Sequence, residues 1–533
     1  MGKAKVVNYY NGRYCGDMSA DQCDILENII KLDEENGCLE DLKHIITNVS
    51  SSDVDMILND VAEHGKVMHS YDKGIGTLRD DQTLGVAFMV SAKRCMLGDS
   101  VGLGKTVQTA GAVNLISALK SDSKRPVRYL VLTEKNLAVQ FRRELIQFTG
   151  EYVELIGDGE QKTMKKFVAN HPYQEELNYS IVGTHALLTT KSFIQWLEQS
   201  RTLGPGFPFT TLIVDESSIL GGKAKLLLAG FTSLSKYFEN IYFLNATPFG
   251  TSLEMFYNQL NLLDNTLLPP KTKCMKEFCV FDYTGMHPRP TNKYKNQAQF
   301  KSLIKYRYFA RTRKGKGAVM SGCDGRVVLS PLSPIQKEWL RKSQLHYLVY
   351  DCPNYLDPAI PFTSTTVPKL GSLAHLLETD CKDAKTIIIF APYKEAQKHL
   401  AAWLETNGYS TRILNGDTKK AERQELIDGF KKAEYRVLIT NVQRGLNFGS
   451  CNHCIFYSFD TNPSEMLQFE GRITRDFDVI GKHIYILCSE GKEYKKLNTA
   501  VRERAKATTD FTNTDLSVIL NILLERNDEL DEE

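Results

Sequence analysis

Leu97-Gly98-Asp99-Ser100-Val101-Gly102-Leu103-Gly104-Lys105-Thr106 is the stretch from which the rest of the chain can be read. Apolar residues lead into it, glycines sit two apart, and Lys105-Thr106 opens a helical pattern through Val107, Ala110 and Val113. Glycines let the backbone bend tightly and aim its N–H groups inward, and a helix N-terminus adds positive dipole charge, so the order suits a bound phosphate. A lysine at this place reaches the outer phosphates, and a threonine hydroxyl can hold Mg²⁺. The pattern Gly-x4-Gly-Lys-Thr asks for glycine at position 99, where Asp99 stands.

The chain has 533 residues, enough for two to four domains, with 42% hydrophobic and 24% charged residues, as in a globular protein with sizeable cores. No apolar run approaches the roughly 20 residues that span a bilayer, and no apolar stretch follows Met1 as in a secretory leader, so no membrane partner is expected. The 12 cysteines are scattered, which reads as reduced thiols of an intracellular, cytoplasmic protein. Net charge is only +2, so any nucleic-acid signal must be local.

Residues 1–70 carry two helical patterns, one capped by Ser19 or Asp21 and one by Ser52 and closed by Gly65, and read as an accessory helical region. Tyr71–Thr77 reads as a linker. From Leu78 short β-branched runs alternate with helical stretches: Arg128–Thr133, Tyr179–Thr184, Thr211–Asp215 and Ile241–Asn245. A second series holds Thr386–Phe390, Thr411–Leu414, Arg436–Thr440, Cys454–Ser458 and His483–Leu487. Strands alternating with helices predict α/β architecture, here two tandem lobes of parallel sheet covered by helices. The expected divisions are a first lobe over 78–265, an insertion over 266–368, a second lobe over 369–495, and C-terminal helices with an acidic tail over 496–533.

The third run ends in Asp215-Glu216-Ser217-Ser218. A carboxylate pair just past an apolar strand, downstream of a Gly-Lys-Thr loop, makes the second half of a nucleotide site: Asp215 for Mg²⁺, Glu216 to orient or deprotonate the attacking water. The fourth run ends in the polar turn Asn245-Ala246-Thr247-Pro248. Together with Leu78-Arg79-Asp80-Asp81-Gln82-Thr83-Leu84-Gly85-Val86, these stretches closely resemble the SWI/SNF-type ATPases of helicase superfamily two. That family carries L-R-x-x-Q-x-x-G-V and D-E-M-G-L-G-K-T, so Asp99 matches what it has there. Its D-E-A-H is Asp-Glu-Ser-Ser here, which leaves the coupling of the last two positions open.

The second lobe continues the resemblance through Ile387-Ile388-Ile389-Phe390, Leu414-Asn415-Gly416-Asp417, Thr440 with Gly445-Leu446-Asn447, and Asn462-Pro463 followed by Gln468, Gly471, Arg472 and Arg475. Arginines three apart share a helix face or turn and can neutralise charge developing at a γ-phosphate. The family's continuation after Arg475 is missing, since Asp476-Phe477-Asp478 follow.

The resemblance implies two RecA-like lobes with ATP and Mg²⁺ between them. It assigns nucleotide binding to Gln82, Asp99, Ser100, Val101, Gly102, Leu103, Gly104, Lys105 and Thr106, and metal binding to Thr106 and Asp215. Catalysis falls to Lys105, Thr106, Asp215, Glu216, Gln468, Arg472 and Arg475, and coupling to Thr247. Thr133, Lys135, Thr184, His185, Thr440 and Asn447 match positions that touch a nucleic-acid backbone.

A local signal adds to these. Arg289 to Lys316 holds ten basic residues and no Asp or Glu, with Tyr294, Phe300, Tyr306, Tyr308 and Phe309 interleaved. Such segregation points to phosphate-backbone contact, with Arg307, Arg311, Arg313 and Lys314 as candidates. Cys451-Asn452-His453-Cys454 has metal-ligand spacing but leads into a strand without a second pair, and reads as packed thiols.

The expectation is therefore a DNA-dependent ATPase that translocates on duplex or branched DNA, in repair, recombination or replication. The alternatives are a helicase that unwinds or branch-migrates, and a nucleotide-gated DNA-binding scaffold.

Overall fold

The computed structural model describes residues 42–495, apart from 101, 121–126, 136, 157–160, 223, 251, 285–287, 312–322, 442–447, 449–450 and 459–481. The described residues fall into two compact units, one running to residue 311 and one starting at 323. The helix expected near residues 19–32, the acidic tail, Val101, Arg313, Lys314, Asn447, Gln468, Arg472 and Arg475 lie outside the described residues.

The first unit begins with a small antiparallel pair, β1 (Thr47–Asn48) and β2 (Gly74–Ile75). Between them runs α1 (Ser51–His64), stopped by Gly65 at φ +73°. The Ser50 hydroxyl, not Ser52, caps it by accepting from the Asp53 N–H at 3.1 Å. Leu42, Ile46, Val49, Val54 and Ile57 are buried in one cluster with Leu78, Val86, Val113 and Leu145. The segment read as an accessory region and linker is thus, from residue 42 on, part of the first unit's core.

The main sheet of this unit is parallel throughout. Its strands are β3 (Arg94–Leu97), β4 (Tyr129–Thr133), β5 (Val153–Ile156), β6 (Ser180–Thr184), β7 (Thr211–Asp215) and β8 (Asn240–Leu244). After a hairpin of β9 (Cys279–Asp282) and β10 (Arg289–Tyr294), β11 (Tyr308–Phe309) completes it in the order β11-β3-β8-β7-β4-β6-β5. The apolar runs are buried along nearly their whole length, as befits a parallel sheet covered on both faces. From β3 the chain passes to β4 on the far side and returns with β8 to fill the gap beside β3. A crevice at the carboxyl ends of strands at such a reversal is where open α/β sheets bind ligands.

The second unit holds β12 (Cys323–Ser330), β13 (Ile387–Phe390), β14 (Thr411–Leu414), β15 (Val437–Thr440), β16 (His453–Phe456) and β17 (Lys482–Ser489). They form another fully parallel sheet in the order β12-β17-β16-β13-β15-β14. Period-two alternation splits its side chains cleanly: Ile388 and Phe390 join one core cluster, Ile387 and Ile389 the other. These are two RecA-like α/β units. The stretch expected as an insertion is shared between them, because β11 extends the first sheet and β12 the second.

Among the described residues no helix is long and apolar enough to cross a membrane. Cys451 and Cys454 are buried, and the Cys451 thiol donates to the Thr386 carbonyl at 3.3 Å.

Candidate active site

The loop after β3 bends where its glycines require it. Gly102 and Gly104 have φ of +88° and +79°, a region that costs other L-residues about 1–2 kcal/mol. Gly104 starts α3 (Lys105–Leu119), and a Cβ on it would fall 2.5 Å from Gln82 Nε2. Gln82 belongs to α2 (Asp80–Ala92) and its amide ties that helix to the loop. Its Oε1 accepts from the Arg79 N–H at 3.0 Å and its Nε2 donates to the Leu103 carbonyl at 3.3 Å. Arg79 Nη2 donates to the same carbonyl at 2.9 Å. Within the loop, Ser100 is buried and its hydroxyl has no protein partner, and Lys105 Nζ donates to the Asp99 carbonyl at 2.7 Å. Gln82, Arg79 and Lys105 thus hold the loop between β3 and α3 in place.

Asp99 is a correction. The resemblance placed it among nucleotide-binding residues, yet its carboxylate is fully buried and bound by protein. Oδ1 accepts from the Arg311 backbone N–H at 3.0 Å and Nε at 3.1 Å, and Oδ2 from Gln108 Nε2 at 2.9 Å and from Arg311 Nη2. A bare carboxylate facing phosphates would repel them; here Arg311 cancels the charge. Arg311 also donates to Gln108 Oε1 at 2.7 Å, and a Cβ at Gly85 would stand 1.8 Å from that oxygen. The glycine of the stretch at 78–86 is thus explained by close approach of α2 to α3.

The carboxylate pair sits at the end of β7, two strands from the loop. The Thr133 hydroxyl, at the end of β4 next door, donates to Asp215 Oδ2 at 2.8 Å. His185 Nε2 donates to the Asp215 backbone carbonyl at 2.7 Å. Burial pushes the Asp215 carboxyl above the usual carboxylate range, against the pull of the Thr133 hydrogen bond and of the Lys105 and His185 charges. Burial also lowers the His185 imidazole, against its hydrogen bond to the Asp215 carbonyl. The loop after β3 and the carboxylate pair after β7 both stand at the carboxyl ends of strands in the same parallel sheet. Glu216 stands at φ +49°, a backbone that costs a non-glycine residue about 1–3 kcal/mol and persists where surroundings over-determine it.

Four expected nucleic-acid contacts find partners inside the protein instead. Thr133 is buried on Asp215, His185 is buried against its carbonyl, Arg311 is engaged by Asp99, and Arg307 Nε donates to Asp264 Oδ2 at 3.2 Å. The reason is the sheet: Thr133 ends β4 beside β7 and His185 follows β6 one strand farther on, so both reach Asp215, and β11 carries Arg307 and Arg311 along the edge of β3. Lys135 is exposed beyond β4, Thr184 is buried with an unpartnered hydroxyl, and Thr440 is buried at the end of β15. Thr247 is buried in the turn after β8, where its N–H donates to Asn245 Oδ1 at 2.9 Å. Sequence reasoning missed Gln108 and Gln259. Gln259 leaves a signal, a lone polar residue within the buried apolar stripe Leu253, Phe256, Leu260 and Leu263.

A glycine-lysine-threonine loop and a strand-end Asp-Glu pair on a parallel sheet, followed by a second such sheet, define a helicase-type P-loop ATPase fold. The SNF2-related domain pattern matches residues 8–349, and the helicase conserved C-terminal domain matches 368–476. The chain belongs to the SNF2-related family.

It is 22% identical over 437 residues to the mouse (Mus musculus) Chromodomain-helicase-DNA-binding protein 1-like, covering 75% of this chain and 46% of that protein. It is 21% identical over 519 residues to the chicken (Gallus gallus) DNA repair and recombination protein RAD54B, covering 82% and 55%. The chain therefore spans about half the length of these relatives. Among solved structures it is similar to the Sulfolobus solfataricus SWI2/SNF2 ATPase core in complex with dsDNA, at 16% identity, with a TM-score of 0.39, covering 82% of this chain and 93% of that one.

Proposed function

We propose that the chain is a DNA-dependent ATPase that translocates on duplex DNA and remodels DNA or protein–DNA complexes. The observation that carries the ATPase half is the placement of the Gly102–Lys105 loop after β3 and of Asp215-Glu216 at the end of β7, both at the carboxyl edge of one parallel sheet. ATP phosphates would lie on the loop at 98–106, where the Ser100 hydroxyl and the start of α3 offer donors and Lys105 offers charge. The donor set also fits Mg²⁺: the half-buried carboxylate at 215 and the Thr106 hydroxyl on the first turn of α3 are hard oxygen ligands. When bound, the ion would offset phosphate charge. Glu216 would orient the attacking water, and by resemblance Gln468, Arg472 and Arg475 would meet the charge on the γ-phosphate.

DNA as partner is supported by the names of the relatives, a DNA-binding protein and a DNA repair protein. It is supported as well by exposed Arg289, Lys293 and Lys295 on and beside β10, in the basic stretch. The test of the site is K105A. Turnover of ATP should be lost while DNA binding is kept; hydrolysis surviving the substitution would move the site elsewhere.

A further inference from the structure

Directly after Glu216, the buried Ser217 hydroxyl donates to Gln259 Oε1 at 2.8 Å. Gln259 is itself fully buried, on α4 (Leu253–Leu263). The same oxygen accepts from Asn245 Nδ2 at 3.3 Å. On its other side, Gln259 Nε2 donates to the Pro248 carbonyl at 2.7 Å and to the Met255 carbonyl at 3.0 Å. Two donors meet the oxygen and two acceptors meet the nitrogen, so the amide is saturated and only one orientation satisfies it. Turned over, its N–H groups would face the Asn245 amide and its oxygen would face two carbonyls.

The helix around it is fitted to the same turn. Asn258 Nδ2 donates to the Gly221 carbonyl at 2.9 Å, and a Cβ on Gly221 would fall 2.5 Å from the Met255 carbonyl oxygen. The left-handed backbone at Glu216 is therefore followed at once by a clamp, and the other jaw of that clamp holds the turn Asn245–Pro248.

From this network we infer that Gln259 is a positioning residue: it fixes the strained Glu216 backbone and locks it to the turn carrying Thr247, so that the two shift together. The inference rests on the ATPase reading above. In this chain a buried carboxamide on α4 joins the two loops, where Asp-Glu is followed by Ser217 and Ser218.

The experiment uses the full chain with ATP and duplex DNA, measuring kcat, KM for ATP and thermal melting. Q259L keeps the apolar packing of α4 and removes the four hydrogen bonds. It should lower kcat about tenfold or more while KM for ATP stays within about twofold, because phosphate binding at the Lys105 loop is untouched. S217A removes one bond only and should lower kcat less, and Q259L should cost less in the S217A background than alone. If Q259L no longer melts cooperatively, S217A carries the test. Unchanged kcat in the folded variants, or losses in the two that simply multiply, would overturn the role of Gln259. A parent chain without turnover would overturn the ATPase reading itself, whereas an active parent matched by Q259L would overturn this inference alone.

Discussion

Asp215 is the residue at which the requirements of folding and of chemistry conflict most plainly. Its carboxyl is half-buried beside Thr133 and desolvation pushes it above its ordinary value, so its ionised form is disfavoured in the fold. The native state then holds that proton more tightly than the unfolded chain, and stability falls as pH rises through the window above the ordinary carboxylate value. D215N should therefore raise the melting temperature of the metal-free protein at neutral pH while abolishing turnover. The gain should shrink toward pH 4, where the parent carboxyl is protonated too. A lower melting temperature for D215N at neutral pH would contradict this account. The places of Lys105 and Thr106 at the start of α3, and of Asp215 and Glu216 at the end of β7, were legible because glycine spacing and strand-end carboxylates are local features. The service of Thr133 and His185 to Asp215 was not, since it depends on which strands become neighbours.

Among elements, the buried charges of the second unit show the same logic on a larger scale. Lys369, fully buried near the start of α5 (Pro368–Glu378), is 2.8 Å from both Asp351 and Glu493. It thereby joins α5 to the end of the helix His346–Asp351 and to the segment after β17. Burial and the Glu493 charge push the Asp351 carboxyl up to about 6, against the attraction of Lys369. Removing one partner of a buried pair leaves uncompensated charge, so K369M should cost about 3–5 kcal/mol in urea unfolding of this unit at pH 8. Below about pH 6 Asp351 takes up a proton, and the loss should be smaller at pH 5. A loss that does not depend on pH would show that packing, not charge, is what Lys369 supplies.

Nine strands of the two main sheets were legible as β-branched runs, with ends displaced by a residue or two, whereas β3 and β5 were not read as strands. The edge strands β11 and β12 were hidden. One is two residues long within a basic, aromatic stretch, and its pairing with β3 is the contact that turns Arg311 toward Asp99. Gln259 was hidden because a polar residue in an apolar stripe gains meaning only when its partners are known.

For the molecule as a whole, a net charge of +2 conceals a segregated basic stretch. Part of that charge is consumed by Asp99 and Asp264, and part is exposed around β10. Two RecA-like units, a P-loop site in the first and the order of family motifs along the chain together support one central claim, that DNA engagement drives ATP hydrolysis at the Lys105 loop. The initial rate of ATP turnover by the full chain, with and without duplex DNA at low salt, tests that claim most directly. The account predicts strong stimulation that fades as salt releases the DNA, because phosphate contacts are lost to counterions. A rate indifferent to DNA at low salt would contradict it.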